Sequence, residues 1–232
     1  MRMSAFCVSF LMAGGALLAD TAQERLNDSA AIFSEIMGTP DKGIPQDLLN
    51  KAQCVIMVPG LKKGAFVVGG EYGRGFAVCR RTSGWGAPAA VRVEGGSVGF
   101  QIGGSSTDVV MLVMSQRGMD RLMSDKFTLG ADASVAAGPV GRTANAATDV
   151  ELHAEILAWS RARGAFAGIS LNGATMRPDN KENEALYGKP MTNREILTSN
   201  VAPPPAAHKL LAELDRYSAH QETSGAAERQ RR

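Results

Sequence analysis

The segment "VPGLKKGAFVVGGEYGRGFAVCRR", residues 58–81, constrains this chain most, because it alternates glycines with apolar runs of strand length. Short apolar runs bounded by glycine read as β-strands, and glycine supplies turns and close backbone packing that side chains obstruct. The spacing predicts "CVIMVP" (54–59) as one strand running into this segment, then "AFVVGGEY" and "GFAVCRR" as two more. Strand character continues downstream. "GWGAPAAVRVEG" opens on turn signals and then alternates Val91 and Val93. "SVGFQI" alternates Val98, Phe100 and Ile102 against Ser97, Gly99 and Gln101, which predicts one buried and one exposed face. "DVVMLVMS" (108–115) is almost wholly apolar and predicts a central strand. Residues 154–173 predict a hairpin turning at Arg163-Gly164. The small-residue segment 129–148 sits between patterned strands and predicts an ordered, tightly packed stretch.

Helical periodicity marks the two ends. Leu26, Ala30, Phe33 and Met37 recur at one face of a helix from about Thr21 to Met37, ended by Gly38 and Pro40. A short helix follows from Pro45. "QRGMDRLMSD", "NKENEALYG" and "NREIL" read as short helices, and "HKLLAELDRY" as a final amphipathic one. The expected fold is α+β: a mainly antiparallel β-sheet or barrel-like core with N-terminal and C-terminal helices.

The first 19 residues carry one Arg and an apolar run from Ala5 to Ala19, which predicts a signal peptide and an exported, periplasmic or envelope protein. Residues 20–218 then form a single domain, and 219–232 a disordered tail. Removing Arg2 with the leader takes the net charge from +2 to +1. That argues against a nucleic-acid binder, which carries a strong basic excess. Two cysteines remain, Cys54 and Cys79. They pair in an oxidising compartment or stay as two buried thiols.

Catalytic constellations are missing from the pattern. His153, His208 and His220 are far apart, with no CxxC or HxxxH, so no metal is expected. "GGSVG" (95–99) matches a serine-hydrolase elbow formally, yet it leads into an alternating strand and reads as a turn. "GPVGRT" (138–143) lacks the Lys-Ser/Thr ending of a phosphate loop. Neither an enzyme nor a cofactor is expected.

Five blocks in order, "VPGLKKGAFVVGGEYGRG", "GWGAPAAVRVEGGSVGFQIGGSSTDVVMLV", "LGADASVAAGPVGR", "SRARGAFAGISLNGA" and "YGKPMTNREIL", resemble the SYLF domain family across about residues 22–215. The resemblance implies a non-enzymatic lipid-binding module for anionic headgroups of phosphoinositide or phosphatidic-acid type. It also implies membrane contact through basic residues and an N-terminal amphipathic helix, here residues 21–37. Lys62, Lys63, Arg74, Arg80, Arg81 and Arg142 are the candidate lipid contacts. Actin binding, a property of some eukaryotic members, is not expected of an exported bacterial-type chain. The other reading is an envelope structural or protein-interaction module without direct lipid binding.

Overall fold

The computed structural model describes residues 21–39, 43–65, 68–82, 84–98, 103–140, 153–162, 165–169 and 171–218. The predicted leader, the tail and Arg142 lie outside these residues, as do Arg163-Gly164 and the 99–102 part of "SVGFQI".

Two long helices bracket the chain: α1 (Ala22–Met37) and α6 (His208–Ser218). Between them run the short helices α2 (Gln46–Lys51), α3 (Gln116–Leu122), α4 (Asn180–Tyr187) and α5 (Asn193–Thr198). Strands β1 (Cys54–Ala65), β2 (Val68–Arg81), β4 (Ala89–Val98), β5 (Gly103–Val113) and β8 (Ile156–Ala162) form the body of one curled sheet. Shorter strands complete it: β3 (Gly84–Trp85), β6 (Phe127–Thr128), β7 (Val135–Ala137), β9 (Ala165–Gly168) and β10 (Thr175–Pro178). The order is β6-β10-β4-β2-β1-β5-β8-β7, with β3 on β2 and β9 on β8. Every pairing is antiparallel except β7 with β8. The α+β architecture with a mostly antiparallel, half-barrel sheet and terminal helices is the one expected.

Both faces of the sheet's inner half are buried, which explains the nearly continuous apolar runs. Val55 and Met57 of β1, Phe76 and Val78 of β2, and Val110 and Leu112 of β5 meet Leu26, Phe33 and Ile36 of α1 and Leu210 and Leu214 of α6. Their alternate neighbours Ile56, Ala77, Val109 and Met111 join a second core with Leu122, Phe127, Met176 and Ile196. Cys54 lies opposite Cys79 across β1 and β2, and the two form a buried disulfide.

Three sequence expectations change here. The 68–72 part of "AFVVGGEY" and "GFAVCRR" lie on one strand, and "CVIMVP" continues through Lys62-Lys63 to Ala65. The glycines do not break these strands; they let β1 and β2 approach. A Cβ on Gly75 would sit 1.9 Å from the Met57 carbonyl oxygen, and one on Gly73 2.6 Å from Val58 Cγ1. Likewise Gly95 and Ser97 lie inside β4, so the expected turn there is strand. The small-residue segment is packed as expected over its described part. Gly138 lies against Trp159, where a Cβ would fall 2.0 Å from the ring, and Trp159 Nε1 donates to the Pro139 carbonyl at 3.0 Å.

Candidate functional site

β1 carries one extra residue relative to both neighbours, between Met57 and Lys62 against β2 and between Val58 and Leu61 against β5. The bulge falls at Pro59-Gly60, with Gly60 at φ 58°, a conformation that glycine adopts freely. Side chains alternate across a strand, so an inserted residue reverses the facing of everything beyond it. Leu61 therefore stays in the second core, and Lys62 turns to the α1 side of the sheet. Lys63 points the other way and pairs with Glu71 at 3.0 Å. The basic pair in the sequence is thus divided between two faces.

The arginines expected beside these lysines serve the fold. Arg74 Nε bonds Asp179 at 2.7 Å and its Nη2 bonds Glu182 at 2.7 Å; Glu182 is also paired with the buried Arg25. Burial pulls the Arg74 pKa down, but the Asp179 hydrogen bond and the two carboxylates outweigh it and raise it above its ordinary value. Arg80 donates to the Leu49 and Ala52 carbonyls at the end of α2 and stacks 4.3 Å over Trp85. Burial lowers its pKa, with Asp215 opposing. Arg81 donates to the Thr198 and Ile196 carbonyls, capping the end of α5. Arg80 and Arg81 thus satisfy carbonyls that a helix end leaves unpaired.

The amphipathic stripe of α1 is also spent internally. Leu26, Ala30, Phe33 and Ile36 are fully buried, and the Phe33 ring meets Tyr217 edge-on at 6.0 Å. The sheet and α6 cover the apolar face that the resemblance offered to a membrane. The helix is therefore a core element.

What remains on the α1 side among the described residues is the outer half of the sheet. Its register places Lys62 beside Tyr72, Tyr72 beside Glu94 and Glu94 beside Thr175. One row inward, Arg74, Arg92 and Arg177 stand side by side on β2, β4 and β10. Arg92 and Arg177 both reach Glu94, at 2.9 and 3.5 Å, and keep 37% and 40% of their side chains exposed. Tyr72 is 48% exposed. Lys62, Arg92 and Arg177 against Glu94 leave a local excess of two positive charges around an exposed aromatic ring. Arg92, Arg177 and Tyr72 were not singled out in the sequence. The signal for Arg92 was there, because burial of Val91 and Val93 sends Arg92 and Glu94 to the opposite face.

Lys62 also borders a recess of about 370 Å³ between α1 and the bulge, lined by Asp28, Ile32, Gly60, Ser106, Asp108 and Arg161 among others. Its floor is a closed set of bonds. Asp108 Oδ1 accepts from the Gly60 N–H at 2.9 Å, and Oδ2 accepts from Arg161 Nε and Nη2 at 2.8 and 2.6 Å. Arg161 also pairs with Glu35.

No group of three or more metal-ligating side chains occurs among the described residues, and none of their helices is long and apolar enough to cross a membrane. The sequence model of the family described as "Ysc84: Las17-binding protein actin regulator" matches residues 94–217, from the middle of β4 to the end of α6. The chain belongs to the Ysc84, or SYLF, family. It is 34% identical over 179 residues to LAS seventeen-binding protein 3 of Saccharomyces cerevisiae, covering 75% of this chain and 39% of that protein. It is 30% identical over 197 residues to SH3 domain-containing YSC84-like protein 1 of Homo sapiens, covering 83% of this chain and 57% of that protein. The chain therefore spans less than two thirds of these SYLF relatives. They are named for binding and for an SH3 domain, with no enzymatic activity in their names.

Proposed function

We propose that this SYLF chain is an exported, non-enzymatic module that docks on anionic phospholipid surfaces through the outer sheet face. The observation that carries this reading is the cluster of Lys62, Arg92 and Arg177 around exposed Tyr72, with Glu94 as the one carboxylate among them. A tyrosine ring suits a membrane interface, apolar in its body and polar at its tip. Each basic residue close to an anionic surface contributes about 1 kcal/mol, so a net excess of two gives weak, salt-sensitive docking. The buried Cys54–Cys79 disulfide supports an oxidising compartment, consistent with export.

Co-sedimentation with phosphatidylglycerol-rich and pure phosphatidylcholine vesicles tests this. The chain should pellet with the anionic vesicles at low salt and lose affinity as salt rises. Arg92→Glu/Arg177→Glu should weaken binding at least tenfold, from the roughly 1 kcal/mol per charge above. Binding at the wild-type level by that double variant sinks this face. Absence from anionic pellets at low salt sinks the lipid reading and favours the envelope protein-interaction module, which the binding-protein names of the relatives support.

A further inference from the structure

The recess beside Lys62 combines a satisfied floor with an unsatisfied rim. Asp108 and Arg161 are bonded to each other and to Gly60 and Glu35, which fixes the base. Asp28 on α1 and Lys62 on β1 both line it, and neither side chain makes a hydrogen bond or ion pair among the described residues. The Ser106 hydroxyl, opposite Lys62 in the register, is exposed and likewise has no partner among the described residues. Gly60 lines the recess at φ 58°, a backbone conformation that a side chain there would strain.

Opposite charges that line one recess without closing on each other suit a ligand that carries both complements. A bare anion would meet Asp28 and Asp108 beside Lys62 and Arg161. A bare cation would meet Lys62. A zwitterion places its ammonium on Asp28 and its anion on Lys62 and Ser106. The ammonium should be primary. Quaternary ammonium groups are recognised by aromatic cages, and no aromatic side chain among the described residues lines this recess. A primary ammonium can donate charge-assisted hydrogen bonds to a carboxylate. The volume of about 370 Å³ lies within the range of small-ligand pockets.

We infer that the recess between α1 and the β1 bulge binds a primary-amine zwitterion of the phosphoethanolamine class, with Asp28 on the ammonium and Lys62 with Ser106 on the phosphate. For a membrane source this deepens the lipid reading, because Lys62 joins the recess to the docking face. The shared chemistry can also come from a free small molecule.

Calorimetric titration of the chain with O-phosphoethanolamine, ethyl phosphate and ethanolamine is the test. Phosphoethanolamine should bind saturably and at least about tenfold more tightly than either half, the value of one charge-assisted hydrogen bond. Asp28→Asn should lower it to the level of ethyl phosphate, and Lys62→Ala to that of ethanolamine. Arg92→Glu/Arg177→Glu should leave it unchanged. A second arm compares phosphatidylcholine vesicles with and without phosphatidylethanolamine. A gain in binding that Asp28→Asn removes assigns the lipid as source; saturable heat without that gain assigns the free molecule. Neither heat nor gain overturns the site, and so does wild-type behaviour of Asp28→Asn. Phosphatidylglycerol docking that persists in those cases leaves the surface reading intact.

Discussion

Arg74 shows how a cation in a surface-looking strand becomes a structural pin. It ties β2 to Asp179 and Glu182 at the start of α4, and Glu182 ties both to Arg25 of α1. Removing one partner of a buried pair leaves uncompensated charge, at about 3–5 kcal/mol when burial is complete. The Arg74 side chain keeps 27% exposure, and solvent screens part of that penalty. Arg74→Met should therefore cost about 2 kcal/mol, read as a lower urea midpoint with unchanged slope; a shift below about 0.5 kcal/mol would remove the pin from the account. The glycines separate in the same way. Gly75→Ala forces a Cβ to 1.9 Å from the Met57 carbonyl, whereas a Cβ on Gly64 meets nothing within 4 Å. Gly75→Ala should cost 3 kcal/mol or more, roughly, or prevent folding. Gly64→Ala should melt within a few degrees of the parent. Equal stability of the two variants would refute the close-approach reading of β2.

Each helix had a local signal, and their boundaries were legible for that reason. The Leu26-Ala30-Phe33 stripe and the Leu210, Leu211 and Leu214 face announce α1 and α6, and both faces are buried as their period implies. The long strands were legible in existence but not in extent, and the short β3, β6, β7 and β10 were not read as strands. A glycine that ends a strand and one that lets a neighbouring chain pass look alike in sequence, and only the Met57 carbonyl over Gly75 distinguishes them. The candidate site was hardest to read, because its answer lies far along the chain. Arg81 meets Thr198 and Arg74 meets Asp179, more than 100 residues away. No local pattern separates such arginines from Arg92, which remains at the surface. The helix starts carry a pH-dependent signature of their own. Thr21 with Glu24 and Thr192 with Glu195 form reciprocal capping boxes. Hydrogen bonds from the Thr backbone, then from its hydroxyl, hold both carboxyls below their ordinary pKa. A depressed folded-state pKa stabilises above the unfolded value, about 4.3 for Glu, and that contribution is lost as pH falls through the folded value. Glu195→Gln should therefore lower Tm slightly at pH 7 and converge with the parent at acid pH. A gap between the two melting curves that widens as pH falls would contradict the assigned sign.

Across the whole molecule the sheet is used in two ways along one strand direction. Its inner half lies between two cores and carries the Cys54–Cys79 disulfide. Its outer half presents Lys62, Lys63, Tyr72 and Ser105-Ser106 to solvent among the described residues. The bulge at Pro59-Gly60 marks the boundary, so the residue that turns Lys62 outward also ends the double burial of β1. Opening free energies follow buried apolar contact, and regions with little of it open locally without global unfolding. Native-state amide exchange should therefore fall into two classes within the same strands. Val55–Met57, Ala77-Val78 and Val110–Leu112 should exchange at the rate of global unfolding, with a denaturant slope that matches it. Lys63-Gly64, Glu71-Tyr72 and Ser105-Ser106 should exchange orders of magnitude faster and show almost no denaturant dependence, although all sit in hydrogen-bonded ladders. Vesicles of phosphatidylglycerol should slow this second class alone if the outer face is the part that docks. Uniform exchange along β1 would show that the helices stabilise the sheet as one unit. Protection gained only in the inner class would place the docking surface elsewhere on the fold.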